Sequence, residues 1–210
     1  EWSIQSADGT QASTIRITIQ GNNDAPQLSN DSATTAARTA LNTNATAGLL
    51  SNDLDVDLGD SISITAVNGD AAKLGQAVQG SHGGTFTIQA NGAYGFDPGT
   101  AFDSLKPGET STTSISYSVS DEHGASASAQ FTVTVTGTNE APIISGSTIG
   151  SVTEDSPTNS ITSGVLTITD PDDTSHTWVI GNPIGNYGTL SLAGTGASRR
   201  SPIRRRRRGW

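Results

Sequence analysis

Nine consecutive residues hold the densest set of hard oxygens in the chain: Asn52-Asp53-Leu54-Asp55-Val56-Asp57-Leu58-Gly59-Asp60. Carboxylates at alternate positions, followed by glycine, let a looping backbone turn several oxygens toward one point. That is calcium chemistry. Ca²⁺ takes about six to eight oxygens in loose geometry, which Mg²⁺ tolerates poorly. The spacing is not that of an EF-hand: Gly59 falls one place late, and the twelfth position is Ile64 rather than Glu. A solvated acidic turn is the competing reading, because Asp favours turns. Four like charges this close repel, however, and a bound cation would remove that cost.

Further acids fall where loops and strand ends are expected. They are Asn23-Asp24, Asp121-Glu122, Asn139-Glu140, Glu154-Asp155 and Asp170-Pro171-Asp172-Asp173. In a sandwich the loops gather at the two poles. These acids are therefore expected to meet at seams between units, where cations would bridge neighbours and stiffen an array. The alternative is that acids at the poles only keep an elongated protein soluble.

Catalytic chemistry has little support. The chain has no Cys, which removes thiolate nucleophiles, disulfide scaffolds and thiolate zinc sites. His82, His123 and His176 lie in turn-like contexts, and no G-x-S-x-G elbow accompanies them. The glycine-rich run at 80–84 has no following helix to present a phosphate site, so it reads as a loop. Asp121-Glu122 has no aromatic-lined cleft of the kind a glycosidase pair would need. No enzymatic activity is expected. Asn30-Asp31-Ser32 and Asn44-Ala45-Thr46 match the N-glycosylation pattern and read as chance matches in a Ser/Thr-rich chain. For sugar binding, Trp2, Trp178, Tyr94, Tyr117 and Tyr187 are few and scattered. Tyr94 and Tyr117 read as core, which leaves Trp178 as the weak aromatic candidate.

The elements that position these groups read as short strands. ISITAV (62–67), TFTIQ (85–89), AYGF (93–96), ISYSV (115–119) and QFTVTV (130–135) are β-branched and mostly alternate with period two. Asn91-Gly92 between two of them is a two-residue hairpin signal. No ten-residue stretch has helical periodicity, and no run approaches the roughly 18 apolar residues of a membrane span.

An internal repeat organises the strands. TIRITIQGNNDAP (14–26) returns as QFTVTVTGTNEAP (130–142). The chain is thus expected to hold the C-terminal strands of one unit (1–24), a complete unit (25–140) and the N-terminal part of a third (141–196). A unit of this size with about seven short strands fits an immunoglobulin- or cadherin-type sandwich, ahead of a jelly roll or a solenoid. Pro26 and Pro142 fix φ and hold the preceding residue extended, as a stiff joint would require. The start on Glu1 inside a strand-like run, with no Met anywhere, is read as a piece of something longer.

Charge is divided along the chain. Its formal net charge is −9, with 11 basic and 20 acidic residues. Arg199, Arg200 and Arg204 to Arg208 supply seven of the basic residues, and all 20 acids precede them, so residues 1–198 carry −16. An arginine tail can bind nucleic acid or an anionic membrane. Here it begins mid-domain and changes composition abruptly. Residues 197–210 therefore read as a disordered product of a shifted reading frame, with no nucleic-acid partner.

Several segments together resemble a known family. GTNEAP (137–142), SYSVSDEHGASASAQFTVTV (116–135), LLSNDLDVDLGDSISITAV (49–67), NGAYGFDP (91–98) and FDSLKPGE (102–109) are similar to the VCBS and cadherin-like repeats of large bacterial RTX-type surface adhesins. VTEDSP (152–157), GVLTITDPDD (164–173) and YGTLSL (187–192) resemble the opening half of a further unit. The resemblance implies an all-β fold of tandem immunoglobulin/cadherin-like β-sandwich repeats, in an extracellular, biofilm-associated adhesin that is not an enzyme. It implies calcium at inter-repeat joints. By position, the ligands would be Asn23, Asp24, Asn139 and Glu140 at the joints, Asp53, Asp55 and Asp57 in the loop, and Glu154 early in the next unit. Asp121 and Asp172 join this set from the loop acids above. The expected partners are neighbouring repeats of the same chain, and cell-surface glycans or proteins. The alternative is a carbohydrate-binding or accessory module on a secreted enzyme.

Overall fold

The computed structural model describes residues 2–146, 151, 161–177, 179, 184–185, 188–190 and 199–204. In chain order the strands are β1 (Trp2–Gln5), β2 (Ala12–Ile15), β3 (Asp31–Ala36), β4 (Leu41–Thr43), β5 (Ser63–Val67), β6 (Ala77–Gln79), β7 (Thr85–Ile88), β8 (Tyr94–Asp97), β9 (Thr110–Ser120), β10 (Ser126–Thr136), β11 (Ile143–Gly146), β12 (Ile161–Thr169), β13 (Ile184–Gly185), β14 (Gly188–Leu190) and β15 (Arg199–Arg204). The helical content among the described residues is two single 3₁₀ turns, Ala45–Ala47 and Ala71–Lys73. The fold is all-β.

Residues 31–136 build two four-stranded sheets, ordered β3-β10-β9-β5 and β4-β8-β7-β6. Period-two alternation buries one face of each. In β9, Thr113, Ile115, Tyr117 and Val119 turn inward; in β10, Phe131, Val133 and Val135 do so. The facing sheet contributes Phe86, Ile88 and Phe96. Phe131 locks the sheets together, with its ring 5.6 Å from Phe86 edge-on and 4.5 Å from Tyr94. Tyr117 is a core residue, as its alternation predicts, and Tyr94 is half-buried against the core.

β9 and β10 form an antiparallel hairpin paired over all 11 residues of each strand. β3 adds to the far side of β10 in parallel. In β5 the buried positions are Ile64 and Val67, three apart. A bulge between Ile64 and Ala66 accounts for that phase change. All five strands anticipated in this unit are present. β3, β4 and β6 were not anticipated.

The Asn91-Gly92 turn differs in detail from the expected two-residue loop. Gly92 donates its N–H to Gln89 O and Gln89 donates to Ala93 O, so three residues close the hairpin. Gly92 takes the left-handed position (φ 86°) that such a loop requires. At Gly84 (φ 71°), a Cβ would meet the Phe96 ring at 2.5 Å, so the backbone reaches the core only because no side chain stands there.

Outside this unit, β1 and β2 pair as a hairpin, and the later strands form one sheet, β11-β12-β15-β14-β13. Residues 199–204 were expected to lie in an irregular tail. The structure pairs them as β15 with β12 and β14, where they cover backbone groups that β12 would otherwise leave open.

Candidate functional site

The acidic loop 53–60 folds with its pattern inverted. Asp53, Asp55, Asp57 and Asp60 are half-buried, while Leu54, Val56 and Leu58 face solvent at 53%, 50% and 104% exposure. Leu54 is held by backbone bonds to Gln27 in both directions (2.8 and 3.1 Å). That bridge ties the loop to the segment just after Pro26 and fixes which way the alternate side chains point.

At this pole, Asp55, Asp57 and Asp60 each bring a carboxylate oxygen to within 4.8 Å of the others. Asp60, Glu122 and His123 form a second convergent group that shares Asp60. The first joint closes over both. Asp24 donates its backbone N–H to Asp57 Oδ2 (2.7 Å), and Asn23 Nδ2 donates to Asp121 Oδ2 (2.9 Å). Asp121 is buried and also accepts from the N–H groups of His123 and Ala125 (2.9 and 3.0 Å). The Asn23 bond, helped by those amides, holds its carboxyl below the usual range.

One oxygen here lacks a partner. Asp55 Oδ1 accepts from Asp57 N–H (3.0 Å), but Asp55 Oδ2 is buried without a hydrogen bond. A buried carboxylate oxygen left bare is costly. An all-oxygen set of this kind, on a loop turned by Gly59 (φ 100°), fits a calcium ion. His123 is of a different character. Its Nδ1 lies 2.9 Å from Asp60 Oδ2, and that bond raises its pKa. It is a hydrogen-bond partner for Asp60 rather than a hard-ion ligand.

Asp53 stands in a different environment. Its Oδ1 accepts from Ser29 N–H (2.8 Å) and its Oδ2 is buried without a partner. Asp31 lies near enough to feel its charge and accepts 2.6 Å from the buried Tyr117 hydroxyl. Burial pushes both carboxyls up.

Asn139, Glu140 and Asp172 gather at the second joint. Asn139 Nδ2 donates to Glu140 O (3.1 Å). Glu140 is buried; its Oε2 pairs with Arg38 Nη1 (2.9 Å), its Oε1 accepts from Thr138 Oγ1 (3.1 Å), and its N–H donates to Asp172 Oδ1 (3.1 Å). Arg38 was not foreseen in any role. Glu154 and Trp178 lie outside the described residues, as does Tyr187. The pole thus unites Asn23, Asp24, Asp55, Asp57 and Asp121 with Asp60, Glu122 and His123. Asp60 closes the acidic run and Glu122 follows Asp121, so both were visible in the sequence, but only folding brings them together.

A family model described as a bacterial cadherin-like domain matches residues 23–137. The chain belongs to this family. The matched cadherin-like unit begins with the first joint at Asn23 and ends two residues before Asn139. Among solved structures, PcdhgB3 EC1-4 is similar over 92% of this chain and 44% of its own, at 15% identity and TM-score 0.53. Protocadherin Gamma B2 extracellular cadherin domains 1-5 is similar over 88% of this chain and 33% of its own, at 14% identity and TM-score 0.44. The first of these likenesses supports the cadherin-like fold. The chain spans less than half the length of either structure. No curated protein matches it. Among the described residues, no helix is long and apolar enough to cross a membrane.

Proposed function

We propose that the chain is a non-catalytic spacer and adhesion segment of an extracellular bacterial adhesin, stiffened by calcium where the preceding unit meets the cadherin-like unit. On this reading, residues 1–24 close the preceding repeat, 25–140 form the complete one, and 141–196 open the next. The observation that carries it is the bare, buried Asp55 Oδ2 beside converging Asp57 and Asp60 oxygens, under a joint clasped by Asn23 and Asp24. Asp55, Asp57 and Asp60 would hold the ion, with Glu122 within reach through Asp60. The ion would cancel their mutual repulsion and so fix the angle of the joint.

Titration calorimetry of the full chain with calcium, paired with melting in calcium and in chelator, tests this. Calcium should bind and raise the melting temperature, and equal magnesium should do far less because it demands tighter octahedral geometry. A melting temperature unmoved by chelation would remove the mechanism.

A further inference from the structure

At the second joint a guanidinium stands among the carboxylates. Arg38 forks onto Asp103, with Nε donating to Oδ1 (2.8 Å) and Nη2 to Oδ2 (2.6 Å). Its Nη1 reaches Glu140 Oε2 (2.9 Å). Thr138 bonds Glu140 Oε1 and Glu140 N–H bonds Asp172 Oδ1, which leaves the buried Asp172 Oδ2 as the oxygen of these three carboxylates that accepts no hydrogen bond; Asp170 beside it accepts from the N–H groups of Asp172 and Asp173. The guanidinium would repel an ion placed beside it.

Arg38 is held there at a cost. Its φ is 60°, in the left-handed region, and among the described residues Asn68 is the one other non-glycine residue with positive φ. Strain of this kind persists where the surroundings over-determine it. Here the surroundings are two carboxylates. Asp103 in turn has its carboxyl held below the usual range by the Arg38 bond.

We infer that Arg38 is the resident cation of the second joint, linking the cadherin-like unit to the segment carrying Asp172 through Glu140, with no metal ion. Arginine keeps its charge at every physiological pH, and its planar fork matches a carboxylate. The first joint would then respond to calcium and the second would not. The inference rests on the proposed division into units, but not on calcium at the first joint.

Calcium stoichiometry of the full chain, measured by calorimetry, tests it in three variants beside the wild type. Arg38→Gln frees the Asp103 and Glu140 oxygens and should bind one more calcium equivalent than wild type. Arg38→Gln/Asp172→Asn should lose that extra equivalent. Asp172→Asn alone should bind as many as wild type. An Asp172→Asn chain that binds one fewer, or a folded Arg38→Gln chain that gains none, would overturn the inference. If Arg38→Gln fails to fold, the Asp172→Asn count still decides. A wild type without calcium and an Arg38→Gln chain with one would sink the first-joint reading and uphold this one. Calcium on wild type with none gained would do the reverse.

Discussion

Replacing Asp55 by Asn separates the two states of the first joint. In chelator, Asp55 places a charge within 4.8 Å of oxygens of both Asp57 and Asp60, with one of its own oxygens bare. A like-charge pair at that distance costs about 1 kcal/mol in a water-like medium and about 3.5 kcal/mol at an effective dielectric of about 20. The loop is half-buried, so the lower end applies, and two pairs give roughly 1–2 kcal/mol. Asn removes the charge and presents an N–H₂ donor to the neighbouring carboxylates. The matched unit spans 23–137. At about 2.1 cal/mol/K per residue over roughly 115 residues, 1 kcal/mol is worth about 4 °C. In chelator the variant should therefore melt roughly 4–8 °C above wild type.

Calcium should close that gap. With Kd of about 10⁻⁴–10⁻³ M, as in extracellular calcium modules, about 10 mM calcium stabilises wild type by roughly 1.4–2.7 kcal/mol. A tenfold weaker site in the variant would gain only about 0.4–1.4 kcal/mol. Differential scanning calorimetry across a calcium series reads both numbers. Two results would refute the reasoning. A variant that melts below wild type in chelator would mean that the Asp55 carboxylate is favourably partnered. Equal calcium shifts in both proteins would mean that Asp55 is not a ligand.

Two further outcomes follow from the core and its acids. Phe131→Ala empties the contact between the sheets, where the ring is fully buried against Phe86 and Tyr94. It should cost about 3–5 kcal/mol in urea unfolding, and a loss under about 1 kcal/mol would contradict that role. Asp53→Asn should raise the melting temperature in chelator at pH 7, because burial disfavours the ionised form. Carboxyls with raised folded pKa stabilise most below their ordinary value of about 4 and lose that contribution as pH rises through the folded pKa. The advantage of the variant should therefore vanish as the melt is repeated from pH 7 down to about 4, and an advantage that persists in acid would rule out this cause.

The strands of the cadherin-like unit that were legible in the sequence are those with β-branched alternation and one wet face. β3 reads DSATTA and β6 reads AVQ, with too few large apolar residues to show a period. Each is fixed by its neighbour instead: β3 by the full-length hairpin edge of β10, β6 by β7. The acids of the first joint were legible for the same local reason, since alternate carboxylates followed by glycine form a pattern within nine residues. Arg38 could not be read this way. Its partners lie 65 and 102 positions away, and its left-handed backbone sits at a residue type that gives no signal of it. A contact between distant residues leaves no local period to detect.

The inverted loop explains why the two joints should differ. Exposing Leu54, Val56 and Leu58 gains the fold little, since the unfolded chain exposes them too. Turning the acids inward costs repulsion and leaves Asp55 Oδ2 bare. The Asp24 N–H on Asp57 and His123 on Asp60 offset part of that cost, and a bound cation would offset more. At the second joint the offsetting cation is covalently attached. Arg38 satisfies both Asp103 oxygens and one of Glu140, and the chain carries that charge wherever it goes. A spacer built from one conditional and one permanent joint would bend at a defined place when calcium is withdrawn. Its flexible point would fall before the cadherin-like unit, at Asn23-Asp24, and the joint at Asn139-Glu140 would stay closed.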